Sequence, residues 1–197
     1  MRFRKFALVA VIALLLSGCG ASNSGNAARV AGTNISESAL SVAVQDLASQ
    51  VTASELGISD AELTIEVLNR LVITEFIRKL GAEAGVTVTS SDVAAERSRV
   101  LAEFESVQAM EEAGLQQAIA PSLLNSVFEI SLFVNGIGEK LEPTGDAAAQ
   151  QSAFESFLSA FVDSAVIEVS PKYGQWNAAS ASVIATTNPL VIAPEEK

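Results

Sequence analysis

SDAELTIEVLNRLVITEFIRKLGAEAGVTVTSSD, Ser59 to Asp92, is the stretch around which the rest of the chain is organised. Ser59 and Glu62 have capping-box spacing: the serine hydroxyl accepts from the third helical amide while the carboxylate reaches back to the cap amide. Ile58 and Leu63 flank the box as a hydrophobic staple. On a helical wheel Leu63, Val67, Leu68, Leu71 and Val72 share one side, whereas Phe76, Ile77 and Leu80 have drifted to another, so the helix is expected to meet different neighbours at its two ends. Gly85-Val86 supplies a left-handed stop, with Arg78 and Lys79 assigned to the negative pole of the helix. Thr89 and Asp92 repeat the box spacing, with Val88 and Val93 as a second staple, and start the next helix.

Working outward toward the N-terminus, Ser36 caps a helix with Leu40, Val44, Leu47 and Val51 as a narrow apolar stripe. Before it, Val30 and Ile35 stand on either side of Gly32-Thr33, the pattern of a short strand or a small hairpin. Toward the C-terminus, Asp92 to about Glu112 is expected to be one helix carrying Val93, Val100, Leu101, Phe104 and Val107, ended by Gly114. Pro121 fits the first turn of a further helix that is apolar on nearly every side from Leu123 to Ile137. Gly136 and Gly138 should let its last turn fray or bend before Pro143. Thr144 to Gln151 reads as a loop of small residues. Phe154, Phe157, Leu158, Phe161, Val162 and Ala165 then form the cleanest amphipathic stripe in the chain. Val166 to Val169 is β-branched and bounded by Pro171; too short to stand alone, it should pair with Ala28 to Ala31, bringing Val30 near Ile167.

The first eighteen residues are a secretory signal peptide: Arg2, Arg4 and Lys5, then the apolar run Phe6 to Leu16. Eleven apolar residues at ~1.5 Å each fall well short of ~30 Å of hydrocarbon. Leu16-Ser17-Gly18-Cys19 resembles a bacterial lipobox, which implies cleavage before Cys19 and lipidation of its thiol with diacylglycerol, with further acylation such as palmitate on the new amine. Cys19 is the sole cysteine, so the exported domain holds together without an intrachain disulfide. Cleavage removes three basic and no acidic residues and takes the net charge from −11 to −14. That argues against nucleic acid or anionic lipid as a general partner, since both require clustered Lys and Arg to displace counterions. The expected organisation is a signal peptide (1–18), a flexible tether (19–27), one domain (28–177) and a mobile tail (178–197).

The sequence contains no histidine, which excludes histidine-based general bases, Ser-His and Cys-His dyads and His-containing metal sites. Glu62, Glu66, Glu75 and Glu83 read as cap and surface groups, and no calcium-loop pattern occurs. Gly136-Ile137-Gly138-Glu139-Lys140 lacks both the Walker spacing and a preceding strand. No catalytic residue, metal site or cofactor is assigned, and the chain is read as a non-enzyme. Tyr173 and Trp176, placed around Gly174, read as a binding lip or as a cover over the edge of the core.

Val30-Ala31-Gly32-Thr33-Asn34-Ile35-Ser36 resembles the V-N-G-x-x-I-S/T opening of the SurA and PrsA-like N-terminal chaperone domain, of the trigger-factor/SurA superfamily. Leu68, Leu71, Val72, Phe76, Ile77, Gly81, Gly85, Val86, Val88, Thr89, Asp92 and Val93 resemble its second signature, and Val169-Ser170-Pro171-Lys172-Tyr173-Gly174 its close in lipoprotein members. Ala31 and Gly81 stand where the family has Asn and Ala, and the segment around Phe104 to Ala120 does not align with it. The resemblance implies a mainly α fold of about five helices, with a small β element joining the N-terminal strand to one near the C-terminus. It also implies a membrane-anchored, extracytoplasmic holdase that binds unfolded or partly folded exported proteins, without the family's parvulin isomerase module. The expected location is lipid-anchored through Cys19, at the cell membrane of a monoderm rather than an outer membrane. The rival reading is a cell-envelope scaffold lipoprotein with one fixed protein partner; an enzyme built on carboxylates ranks last.

Overall fold

A computed structural model describes residues 25–186. The expected signal peptide, Cys19, the expected tether up to residue 24, and residues 187–197 lie outside the described residues. The chain is mainly helical, with a small antiparallel sheet. Its order is β1 (Asn26–Val30), β2 (Thr33–Ser36), α1 (Glu37–Ala48), α2 (Asp60–Glu83), α3 (Ser90–Leu101), α4 (Val107–Leu115), a 3-10 turn (Pro121–Leu123), α5 (Leu124–Leu141), α6 (Ala147–Ser164), β3 (Ile167–Val169), β4 (Gln175–Asn177) and β5 (Ser182–Ile184).

The central stretch folds as its punctuation dictates. Ser59 accepts from Glu62 N at 3.2 Å and Glu62 Oε2 accepts from Ser59 N at 2.7 Å. Thr89 and Asp92 form the second box in the same way at the start of α3. Gly85 (φ 66°) ends α2 in a Schellman motif: Val86 N donates to Gly81 O and Gly85 N to Ala82 O. Arg78 and Lys79 lie too far from that end to serve it. Arg78 instead makes a bidentate pair with Glu129 of α5 at 2.8 and 2.7 Å, and Lys79 lies 3.7 Å from Glu75. The cation at the end of α2 comes from another helix, with Lys140 Nζ donating to Gly85 O at 2.6 Å.

The chain ends meet as the strand lengths require. Sheet order is β2-β1-β3, all antiparallel, with Val30 opposite Ile167 and Ala28 opposite Val169. Ala31 (φ 43°) and Gly32 (φ 89°) make the two-residue hairpin turn between β1 and β2. The first strand starts before the expected domain boundary at residue 28: Ala27 is fully buried, and Glu37 N donates to Gly25 O. Residues 26 and 27 therefore belong to the sheet rather than the tether.

Four helical expectations need correction. The helix expected from Asp92 to Glu112 is two, because Ser106 accepts from Ala109 N and starts α4 afresh. Gly114 does not break that helix. It is buried in α4 against Leu124, and the stop is Ala118 (φ 53°), whose neighbour Ile119 donates to Gly114 O. In the segment read as the loop 144–151, Asp146 accepts from Ala149 N and α6 begins at Ala147. Gly136 and Gly138 do not fray α5, which continues to Leu141. They admit neighbours: a β-carbon at Gly138 would meet the Gln150 carbonyl of α6 at 3.0 Å, and one at Gly136 would meet Val86 at 3.0 Å.

α2 and α5 form the centre. α2 buries Leu63, Val67, Leu68, Val72, Phe76, Ile77 and Leu80, and α5 packs against α2, α3 and α6. Gly81 has a packing reason: the Phe133 ring of α5 occupies the space a methyl group would need. α1 adds Leu40 and Leu47 to this core. Met110, Ile119, Leu124 and Phe128 make a second, smaller core under α3 and α4, which takes in Phe104, Met110 and Ile119 of the segment that departs from the family pattern. The α5 entry lacks a local side-chain cap, and Asp46 of α1 accepts from Ser122 N at 2.8 Å instead.

The expected tail from residue 178 is overturned for its first part. β5 pairs with β4, Trp176 opposite Val183, and Val183 is 2 % exposed. Asn69 of α2 holds the hairpin down: its Oδ1 accepts from Val183 N at 2.5 Å and its Nδ2 donates to Val183 O at 3.3 Å.

Candidate functional site

α2 and α5 place many of their large side chains in the core, and leave Leu71, Val127, Ile130, Leu132 and Val134 half-buried. A further run of half-buried apolar side chains lies on α6, and at its junction with β3 Val166 is exposed. Phe154 anchors α6 and is buried, and Phe161 meets Phe76 of α2 edge-on, with ring centroids 5.2 Å apart and planes at 64°. The same stripe carries Phe157, Leu158, Phe161 and Val162, all packed on the core yet only half-buried. At the end of α6 the chain turns through Ala165 into Val166, which is 65 % exposed while its carbonyl accepts from Ala31 N at 2.9 Å. The backbone bond fixes the residue and leaves its isopropyl group in solvent.

An open hollow of about 390 Å³ adjoins this corner, lined by Arg29, Ala31, Phe161, Ala165, Val166 and Glu168 among others. Arg29 and Glu168 face each other across the β1–β3 ladder. Arg29 Nε is buried and finds no hydrogen-bond partner among the described residues. The hollow thus combines an apolar wall with the half-buried side chain of a cationic residue, Arg29.

A second open hollow, about 370 Å³, lies between the start of α3 and α5, lined by Val88, Thr89, Val93, Arg97, Asn125 and Glu129 among others. Several of its polar groups are already engaged. Thr89 is committed to the capping box, Glu129 to Arg78, and Arg97 lies 3.7 Å from Glu111. Hydrogen bonding to Glu129 is the main cause that raises the Arg78 guanidinium above its ordinary value, as befits a structural clamp between α2 and α5.

The carboxylates singled out in the sequence are not brought together. Glu62 is in its cap, where the Ser59 amide and then its hydroxyl hold it below the usual carboxylate range. Glu75 faces Arg78 and Lys79, whereas Glu66 and Glu83 are exposed on the surface of α2. Among the described residues no group of three or more His, Cys, Asp or Glu side chains is placed to hold a metal ion. The Gly136 to Lys140 segment is helix interior. Tyr173 and Trp176 cover the core edge: both pack on it, with Trp176 lying 6.5 Å from Phe76. Lys172 stands over Tyr173 at 5.0 Å and reaches Glu37 at 3.4 Å, and these two neighbours, Tyr173 first, raise its ammonium above the ordinary value. No helix among the described residues is long and apolar enough to cross a membrane. Sequence reasoning missed Val166 as a surface residue because strand patterning gives the character of a segment and not which of its residues lies beyond the ladder.

Comparison with protein-family models, with curated proteins and with solved structures found no match to this chain.

Proposed function

We propose that this chain is a non-catalytic, membrane-tethered, chaperone-like domain that holds apolar stretches of unfolded exported proteins on the α6–β3 corner. The observation that supports it is the run of half-exposed Phe157, Leu158, Phe161 and Val162, with exposed Val166, beside a hollow lined also by Arg29. An extended client segment supplies both matching groups: apolar side chains for the stripe and peptide carbonyls for the guanidinium. Holding of this kind needs tolerant apolar contact rather than one fixed geometry. The resemblance in the opening, central and closing motifs points the same way.

Slowed aggregation of several unrelated unfolded clients tests the proposal, with Val166→Glu as the decisive variant. Its isopropyl group is largely in solvent, so the substitution leaves the fold intact and places a charge where apolar segments dock. Protection should fall while the melting midpoint stays within a degree or two of the parent. Equal protection by Val166→Glu and the parent would remove the α6–β3 corner from the mechanism.

The second reading, a scaffold for one folded partner, is favoured by the burial of Leu63, Val67, Leu68, Val72, Phe76, Ile77 and Leu80 of α2 and of Phe128, Phe133 and Ile137 of α5 within the domain. It predicts a single stoichiometric partner in pulldowns from the native membrane and no effect on aggregation.

A further inference from the structure

The lipid reading of Cys19 and the start of the sheet at Asn26 together constrain which way the domain faces. Between Cys19 and Gly25 the chain spans at most about 21 Å when fully extended, at ~3.5 Å per residue. Gly25 is tied to the start of α1 through Glu37 N, so the constraint passes directly to the folded domain. From that end β1 runs about 17 Å, at ~3.3 Å per residue, to the Ala31 turn. The antiparallel register then sorts the remaining features. Ser170 N donates to Ala27 O, which puts Pro171, Lys172 and Tyr173 at the Gly25 end, while Ala31 N donates to Val166 O, which puts the hollow at the other.

We infer that the Gly25 end, presenting Lys172 and Tyr173, is a docking surface for the lipid bilayer, and that the hollow at Ala31 and Val166 consequently faces away from it. Lys172 and Tyr173 have the chemistry of an interface: a cation that reaches phosphate and a ring with an apolar body and polar tip. At this end the Glu37 carboxylate is matched by Lys172, whereas the chain cleaved before Cys19 carries a net charge of −14, and its acidic remainder is repelled by anionic lipid. Short reach, local neutralisation and repulsion elsewhere all favour one orientation. The inference rests on lipidation at Cys19 and extends the holding function by aiming its surface at clients rather than at lipid.

Because Cys19 is the sole cysteine and is consumed by lipid, one introduced cysteine is a unique label site. The full lipoprotein carrying Ser38→Cys, exposed in the first turn of α1, or Val166→Cys is labelled with a donor dye. Each is reconstituted into phosphatidylcholine vesicles containing about a quarter phosphatidylglycerol and an acceptor lipid. With roughly one strand length between the sites, energy transfer should be at least about twofold higher from Ser38→Cys. Adding Lys172→Glu should reduce that ratio in anionic vesicles. Protein that fails to partition into vesicles at all would overturn the anchor and the inference with it. Membrane-bound protein with equal or reversed transfer would overturn the orientation alone, leaving the anchor and the holding function standing.

Discussion

Asn69→Ala removes a single side chain that joins residues 114 positions apart, and its effect can be worked from the two bonds it makes. The amide of Asn69 imitates a neighbouring strand, accepting from Val183 N and donating to Val183 O, so β5 is paired on one edge by β4 and on the other by α2. Truncation to alanine leaves both Val183 groups without partners at a half-buried edge. Each lost bond costs about 1 kcal/mol where water can replace the amide and up to ~3 where it cannot. Partial exposure of Asn69 favours the lower figure, giving about 2 kcal/mol in total. If the hairpin then lifts, buried Val183 loses a further ~1.5 kcal/mol of apolar burial. Trp176 is the only tryptophan and sits opposite Val183, so its emission reports the hairpin while far-ultraviolet dichroism reports the helices. In Asn69→Ala, urea titration should show Trp176 fluorescence changing at lower denaturant than the helical signal. Asn69→Asp keeps the acceptor for Val183 N and sets a charge against Val183 O, and should therefore be no more stable than the alanine variant. Coincident transitions with a loss under about 0.5 kcal/mol would refute the reasoning, since that is the range of an ordinary surface substitution.

Deleting residues 178–197 should cost several kcal/mol through loss of β5 and Val183, whereas deleting 187–197 should leave the urea midpoint near that of the parent. Ala31→Asn should raise stability by about 0.5–1 kcal/mol, because the turn holds this residue at φ 43°, a conformation asparagine tolerates better than alanine; an unchanged or lower melting midpoint would count against it. Gly81→Ala should destabilise by about 1–3 kcal/mol, since the new methyl group collides with the Phe133 ring, and Phe133→Leu should recover part of the loss. Asp92 is held below its ordinary range first by the Thr89 hydroxyl and then by its amide. The folded state thus binds its proton less readily than the unfolded chain, so the contribution is present above pH ~4 and is lost as acid carries the pH down through the depressed value. The stability difference between parent and Asp92→Asn should be constant above about pH 5 and shrink as the pH falls below about 4, a trend that paired melts at each pH would establish or exclude.

Where a feature is encoded within a few residues of itself, the sequence was sufficient. Both capping boxes, the Schellman end at Gly85 and the cap at Ser36 are local hydrogen-bond chemistry, and all are present. The pairing of Val30 with Ile167 was legible for another reason: each strand is too short to survive unpartnered. What escaped involves groups that act over long sequence separations. Lys140 serving Gly85, Asp46 serving Ser122 and Asn69 serving Val183 each substitute for a local signal with a side chain from elsewhere. Polar residues on helix surfaces carry no mark that tells such a role from solvation. Glycines misled in one direction, being read as breaks where Gly114, Gly136 and Gly138 are points of close helix packing. Conversely, the left-handed stop at Ala118 carries no glycine to announce it.

The choice between a holding domain and a fixed scaffold reduces to area. Four half-buried apolar side chains on α6 and the exposed Val166 offer on the order of 300 Å² to a client, given that a fully buried aromatic ring accounts for ~150–250 Å². At ~25 cal/mol per Å² that is roughly 7 kcal/mol of gross burial, from which the cost of immobilising an extended segment must be subtracted. Binding at this site alone therefore falls in the micromolar-to-millimolar range, and a stable heterodimer would bury at least ~1,000 Å² and recruit faces beyond this corner. A weak, rapidly exchanging grip is what holding requires, because a client must be released to fold. The half-buried Arg29 side chain on the wall of the hollow adds a cationic donor group to the grip. Isothermal titration with an extended apolar peptide should give a dissociation constant weaker than about 1 μM, weakened further by Arg29→Met. Nanomolar affinity for one folded envelope protein, insensitive to Val166→Glu, would assign the molecule to the scaffold class.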